Sequence, residues 1–167
     1  ELEENHFADK RYNDAMSAAH LETYLERLDP SRVYFTQSDI AGFMRYEDRL
    51  DDLGRQGELS PLYEIFNLYA KLATERLDTI IGDMDPMVSG FDFEREEFIE
   101  ADPRDRAWAA SRDELDERWR KHIKNQVPGL RLAEKEDAEI APTLVKRYEN
   151  QKMRLEQYNE QDVFAVY

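Results

Sequence analysis

No cysteine occurs among the 167 residues, so disulfides, thiol catalysis and thiolate metal sites are excluded. That absence suits cytoplasm and periplasm alike and leaves the compartment open. Long apolar runs are also missing: the longest cover a few residues, as at Val33-Tyr34-Phe35 or Thr79-Ile80-Ile81, against the roughly 20 that cross a bilayer. Membrane insertion is not expected. Positive charge is scarce overall, and a formal net charge of −15 argues against a nucleic-acid partner, because gripping phosphates takes a local surplus of Lys and Arg. There is no internal repeat, low-complexity tract or sustained heptad. No signal peptide precedes the first helix, and the chain opens on Glu1 rather than Met, which suggests a removed signal or a segment of a longer protein.

What is present is 41% hydrophobic and 37% charged, too apolar for a disordered acidic tail and too charged for a membrane span. The length suffices for one domain over residues 1–167 with one sizeable core. Charge is unevenly spread. From Arg104 to Arg154 thirteen Lys/Arg stand against ten Asp/Glu, so that stretch is net +3 and the rest of the chain −18. The later helices can dock on the acidic ones, or each can face water.

Helical periodicity dominates, and the fold class is mainly α: an irregular multi-helix bundle with a short extended or irregular segment around residues 87–110. Met16, Ala19, Leu21, Tyr24, Leu25 and Leu28 share one face of a first helix, predicted from an Asp14 cap to the stop at Asp29-Pro30. Arg32 to Phe35 reads as extended and buried. Thr36-Gln37-Ser38-Asp39 signals the next helix start, with Ile40, Phe43, Met44, Tyr46, Leu50 and Leu53 as its stripe and Gly54 and Gly57 at its stop. Ser60-Pro61 opens the longest helix, with Ser60 as cap, and the Asp83 to Pro86 cluster is expected to end it. Phe91-Asp92-Phe93 alternates like a short extended piece, Asp102-Pro103 marks a turn, and Trp108 is expected to pack across the helices. Ser111 to Glu114 forms a capping box ahead of Leu115, Trp119, Ile123 and Val127, in a helix that Pro128-Gly129 breaks or bends. A later helix carries Ala138, Ile140, Leu144, Val145, Tyr148, Met153, Leu155 and Tyr158, with Pro142 at its start or at a kink. Asn159 to Asp162 is a further cap, followed by Val163, Phe164, Val166 and Tyr167 as an apolar face that stops short.

None of the residue types that carry chemistry falls into a working pattern. The six serines, Ser17, Ser31, Ser38, Ser60, Ser89 and Ser111, include no G-x-S-x-G elbow, and capping accounts for Ser60 and Ser111. His6, His20 and His122 are widely spaced and lack the carboxylate partners of a helical metal site. Asp85 to Glu96 has Gly90 and Glu96 where a calcium loop needs them, but Met87 stands where an oxygen ligand is required. The acidic runs Glu47-Asp48-Asp51-Asp52 and Asp113-Glu114-Asp116-Glu117 read as solvated faces. Tyr34, Phe35, Phe43, Tyr46, Tyr63, Phe66 and Tyr69 read as core. The expectation is a chain with no catalytic, cofactor-binding or metal-ligating residue.

Several stretches together, in order, resemble the N-terminal domain of bacterial tail-specific proteases, the large branch of the C-terminal processing peptidases. They are Leu28 to Ile40; Tyr63 to Asn67 with Tyr69 and Arg76-Leu77; Phe91-Asp92-Phe93; Ala107-Trp108 ahead of Asp113-Glu114-Leu115 and Trp119-Arg120-Lys121; Lys146-Arg147-Tyr148 with Arg154 to Gln157; and Asn159 to Phe164. The resemblance implies a periplasmic parent protease, with an upstream signal peptide, whose PDZ domain captures substrate tails and whose Ser/Lys dyad cuts them. It places both dyad and tail groove beyond Tyr167. It implies that this helical domain forms a wall of the bowl around the substrate path and can present a surface to an adaptor protein. The alternative expectation is a free-standing acidic helical module that binds a basic partner protein.

Overall fold

The structure, a computed structural model, describes residues 2–99 and 102–158, with side chains from Asp14 onward except at position 51. Six α-helices run through these residues: α1 (Leu2–Leu28), α2 (Gln37–Phe43), α3 (Leu50–Arg55), α4 (Ser60–Ser89), α5 (Arg112–Leu132) and α6 (Asp137–Glu156). Single 3-10 turns at Met44–Tyr46 and Pro103–Asp105 complete them. The mainly helical expectation holds.

α1 starts at Leu2, well before the expected cap at Asp14. No glycine or proline interrupts residues 2–13, so nothing in that stretch breaks a helix once it forms. Its buried stripe is Ser17, Leu21, Tyr24, Leu25 and Leu28; Ala19, expected inside, is exposed. Thr36 caps α2 with a full capping box: Asp39 N–H donates to Thr36 Oγ1 (3.3 Å) and Thr36 N–H to Asp39 Oδ2 (2.8 Å). The single helix expected from there to Leu53 is three pieces. A 3-10 turn with Glu47 N–H donating to Met44 O (3.0 Å) lets Phe43 and Leu50 both reach the interior, while Met44 stays exposed.

At about 1.5 Å per residue the 30 residues of α4 span about 45 Å, enough to serve two cores. Leu62, Ile65 and Phe66 join Leu21, Tyr24, Leu25, Phe35, Phe43 and Leu50 in one cluster. Ala73, Leu77, Ile80 and Met84 join Trp119, Ile123, Val127, Ile140, Leu144 and Tyr148 in the other. Two details of α4 differ from expectation. Leu59, not Ser60, is the N-cap; the Ser60 hydroxyl instead donates to Glu58. The helix also passes Pro86 and ends at Ser89, because an exposed proline near the last turn removes a single hydrogen bond. Pro128 likewise lies inside α5 and Pro142 inside α6 without ending either helix. Met153 and Tyr158, expected on the inner face of the last helix, are exposed by 53% and 48%.

Phe91-Asp92-Phe93 forms no strand. The two rings meet edge to face at 6.0 Å, and the one bridge among the described residues pairs Thr36 with Ala109 in parallel. Trp108 packs as expected, 6.2 Å from the Phe35 ring. The expected cap at Asn159 to Asp162 and the apolar face after it lie outside the described residues.

Candidate functional site

The segment Asp29 to Gln37, a strap between α1 and α2, runs between the two cores and is held almost entirely by side chains. It is expected to be extended but bends at Arg32 and Tyr34, and it sends Val33 and Tyr34 into the α4–α5–α6 cluster and Phe35 into the α1–α4 cluster. A segment outside helices and sheets has no ladder for its backbone, and each buried N–H and C=O needs another partner. Asp29 supplies three. Its fully buried carboxylate accepts from Val33 N–H (2.9 Å), Tyr34 N–H (2.9 Å) and Phe35 N–H (3.0 Å). Burial pushes this carboxyl up, and the three amides and the Arg106 charge pull it back down.

The carbonyls are taken by residues 106–119. Arg106 Nε donates to Ser31 O (3.0 Å), Arg118 Nη1 to Arg32 O (2.7 Å), Trp119 Nε1 to Val33 O (3.0 Å) and Arg112 Nη1 to Tyr34 O (2.9 Å). Gln37 N–H closes the strap on Ala109 O (2.8 Å). Arg32 takes a left-handed backbone (φ 51°) to make the turn after Pro30, and its guanidinium lies 4.8 Å from the Trp108 ring centroid.

Beneath the strap lies a cavity of about 630 Å³, walled by Val33 and Tyr34 of the strap, Tyr69 of α4, Trp119 of α5 and Tyr148 of α6, with Phe98 at its rim. The rings interlock: Tyr34 to Tyr69 at 5.6 Å, Tyr34 to Trp119 at 5.7 Å and Trp119 to Tyr148 at 5.9 Å between centroids. Burial pushes the Tyr69 hydroxyl up to about 12 and raises the Tyr34 and Tyr148 hydroxyls as well. Tyr34 Oη accepts from Gln151 (3.1 Å) and Tyr148 Oη from Gln126 (2.5 Å). None of these phenols is poised to ionise near neutral pH.

The residues weighed from sequence for chemistry are scattered. Among the described residues no hydrogen bond joins the hydroxyl of Ser31, Ser38, Ser60, Ser89 or Ser111 to a histidine or lysine. Ser111 caps α5 by accepting from Glu114 N–H (3.2 Å), while the Glu114 carboxylate reaches Ala110 N–H (2.7 Å), so the box closes one residue early. Asp85 lies within α4, so the first turns of the calcium-loop pattern are helix and its oxygens do not converge. His122 lies edge to face with Trp119 at 5.7 Å, and burial together with the Arg106 and Arg147 charges lowers its pKa. The described residues contain no group of three His, Asp or Glu placed to hold a metal ion, and no helix among them is long and apolar enough to cross a membrane.

The Asp29 anchor and its arginine clamps were not singled out from sequence. Asp-Pro was visible only as a helix stop, although an Asp followed by a short apolar run is the local pattern for a side chain that caps downstream amides.

Residues 1–167 match the family described as tail specific protease N-terminal domain. The chain is similar to the tail-specific protease of Haemophilus influenzae, 28% identical over 169 residues, which cover 99% of this chain and 24% of that protein. It thus spans about a quarter of the length of the curated relative it matches. With the match extending over every residue, the chain belongs to the tail specific protease N-terminal domain family.

Proposed function

We propose that this chain is the non-catalytic N-terminal scaffold and substrate-path domain of a periplasmic serine-type endopeptidase that degrades proteins recognised by their C-terminal tails. The observation that carries the reading is the family match over residues 1–167 by a chain that spans a quarter of its protease relative. On this reading hydrolysis by a Ser/Lys dyad and tail capture by a PDZ module belong to polypeptide outside these residues, and the six serines here are structural. The rigid strap and two-core frame suit a wall that keeps its shape while substrate passes. An adaptor protein would dock on an outer face of the same frame.

The test uses the full-length protease with its nucleophile replaced and a photo-crosslinking residue at Phe98, which is 91% exposed. A tailed substrate is expected to crosslink there, while the wild-type full-length enzyme cleaves it and the 167-residue chain alone does not. Absence of crosslinks from this face, with crosslinks forming in the catalytic domain, overturns the substrate-path role. A native reading frame that ends near Tyr167 would favour the free-standing interaction module instead.

A further inference from the structure

Among the described residues between Ser89 and Arg112 the chain forms no helix or strand beyond the single turn at Pro103–Asp105 and the bridge at Ala109. No backbone–backbone hydrogen bond among them involves residues 92–99, so nothing in the ladder of the fold keeps that backbone from a protease cleft. The other links between helices offer no such stretch. Val33, Tyr34, Phe35 and Thr36 of the strap are buried. The turns at 44–49, 56–59 and 133–136 are short and closed by their own backbone, as from Glu47 N–H to Met44 O (3.0 Å), Glu58 N–H to Leu53 O (2.8 Å) and Lys135 N–H to Leu130 O (3.1 Å). Within residues 91–99 several side chains are tied down. Phe91 packs on the α4–α5–α6 cluster, the Arg131 guanidinium covers the Phe93 ring at 4.7 Å, and Glu97 accepts from Arg120 (3.3 Å) and Lys124 (2.9 Å). Phe98 comes next, the most exposed large apolar side chain among the described residues at 91%, and neither it nor Ile99 makes a hydrogen bond there.

We infer that the Phe98–Ile99 peptide bond is a processing site, cut by an endopeptidase that takes an aromatic side chain on the acyl side, and that the domain stays assembled after the cut. Water adds its hydroxyl to the Phe98 carbonyl carbon and its proton to the Ile99 nitrogen as the C–N bond breaks, leaving a carboxyl and an amine. The exposed ring decides the class of enzyme, because an apolar specificity pocket binds an aromatic side chain offered on accessible backbone. Assembly after the cut follows from where the cores lie. Every buried residue of the α1–α4 cluster precedes Phe98. The other cluster joins Ala73, Leu77 and Ile80 on one side of the cut to Trp119, Ile123 and Leu144 on the other, and Arg106, Arg112 and Arg118 still hold the strap carbonyls. A cut here requires nothing of the substrate path.

The 167-residue chain is treated at neutral pH with a trace of chymotrypsin, and the products are identified by intact mass and by gel filtration with and without urea. Between residues 14 and 157 the first bond cut is expected to be Phe98–Ile99. The two pieces are expected to elute together at the position of the uncut chain and to part only in urea. Phe98→Gly is expected to slow that cut about a hundredfold, because the side chain that fills the protease pocket is gone, whereas Phe93→Gly does not slow it. A first internal cut elsewhere overturns the site, and cuts after the buried Phe35, Phe43 or Phe66 would mark digestion of the unfolded chain. An intact chain under conditions that cleave a free peptide carrying this bond overturns it as well. Pieces that elute apart without urea would show that the domain does not survive the cut, which overturns the second half of the proposal.

Discussion

The Trp119 indole N–H donates to the Val33 carbonyl at 3.0 Å, a bond that joins residues 86 positions apart and fastens α5 to the strap. Trp119 is 4% exposed, so its loss leaves that carbonyl without water. Trp119→Phe keeps most of the ring packing and removes the donor. Urea unfolding is expected to show a loss of about 2 kcal/mol, more than a surface substitution causes. A loss below a few tenths would mean that the bond contributes nothing to holding the strap.

Asp29 gathers three amide donors on one buried carboxylate, so its removal orphans them together. Asp29→Ala is expected to destabilise by about 3–5 kcal/mol, and Asp29→Asn, which keeps a single acceptor oxygen, by about half of that. Hydrogen exchange at Val33, Tyr34 and Phe35 provides the local check. All three amides should lose protection in Asp29→Ala and at least one of them in Asp29→Asn, while buried amides of α4 follow only the global loss.

How far the sequence revealed this site depends on the range of each interaction. The Thr36–Asp39 box and the Leu115, Trp119, Ile123, Val127 stripe involve residues three or four apart, so spacing alone exposes them. Asp29 looked like a helix stop because its partners become neighbours only when Pro30 and the left-handed Arg32 turn the chain back on itself. The arginine clamps are invisible in sequence, since Arg118 meets the carbonyl of Arg32 across 86 positions. The positive surplus between Arg104 and Arg154 was a real signal with an unexpected use: Arg106, Arg112, Arg118, Arg120 and Lys124 among its side chains engage backbone carbonyls or loop carboxylates. The three internal prolines do not end or start their helices, for the opposite reason. Each occupies an exposed position where one missing hydrogen bond is tolerated because the opposite face is packed.

Glu97 fastens the segment after α4 onto α5 by accepting from Arg120 and from Lys124 (2.9 Å), and Lys124 also donates to Asp92 O. Hydrogen bonds from Arg120 first and Lys124 second hold the Glu97 carboxyl at about 2, below its ordinary 4.5. A carboxyl with a lowered folded-state pKa contributes stability above its unfolded value, and that contribution fades as pH falls toward about 2. Pepsin digestion at a series of acidic pH values reads this directly, because Phe91, Phe93 and Phe98 offer cleavage points. Between those two pKa values Glu97→Gln should be cut severalfold faster than wild type in this segment, with the difference closing at the acidic end. Equal rates throughout would show that the ion pairs do not restrain the segment.

Pro142 lies beyond the first turn of α6, where it leaves the Ala138 carbonyl without its helical donor. It is exposed, so no packing is lost when its ring is removed. Pro142→Ala is expected to raise stability by about 1–2 kcal/mol, the restored hydrogen bond outweighing the greater freedom of the unfolded chain. A higher urea midpoint with an unchanged slope is the signature. No change, or a loss, would indicate that the backbone conformation Pro142 imposes serves the seating of Ile140 and Leu144.

Glu134 ends α5 in a conformation that suits glycine. Its φ is 59°, its N–H donates to Arg131 O (3.1 Å), and Lys135 N–H donates to Leu130 O (3.1 Å), the paired bonds of a Schellman cap. A glutamate there carries the strain of a Cβ in the left-handed region and sets a negative charge against the negative end of the helix dipole. Glu134→Gly removes both and is expected to stabilise by about 1 kcal/mol, whereas Glu134→Ala keeps the strain and removes only the charge. The ordering Gly above Ala above Glu in urea midpoint would separate the two contributions. If Ala matched Gly, the charge alone would account for the gain and the left-handed turn would cost nothing measurable.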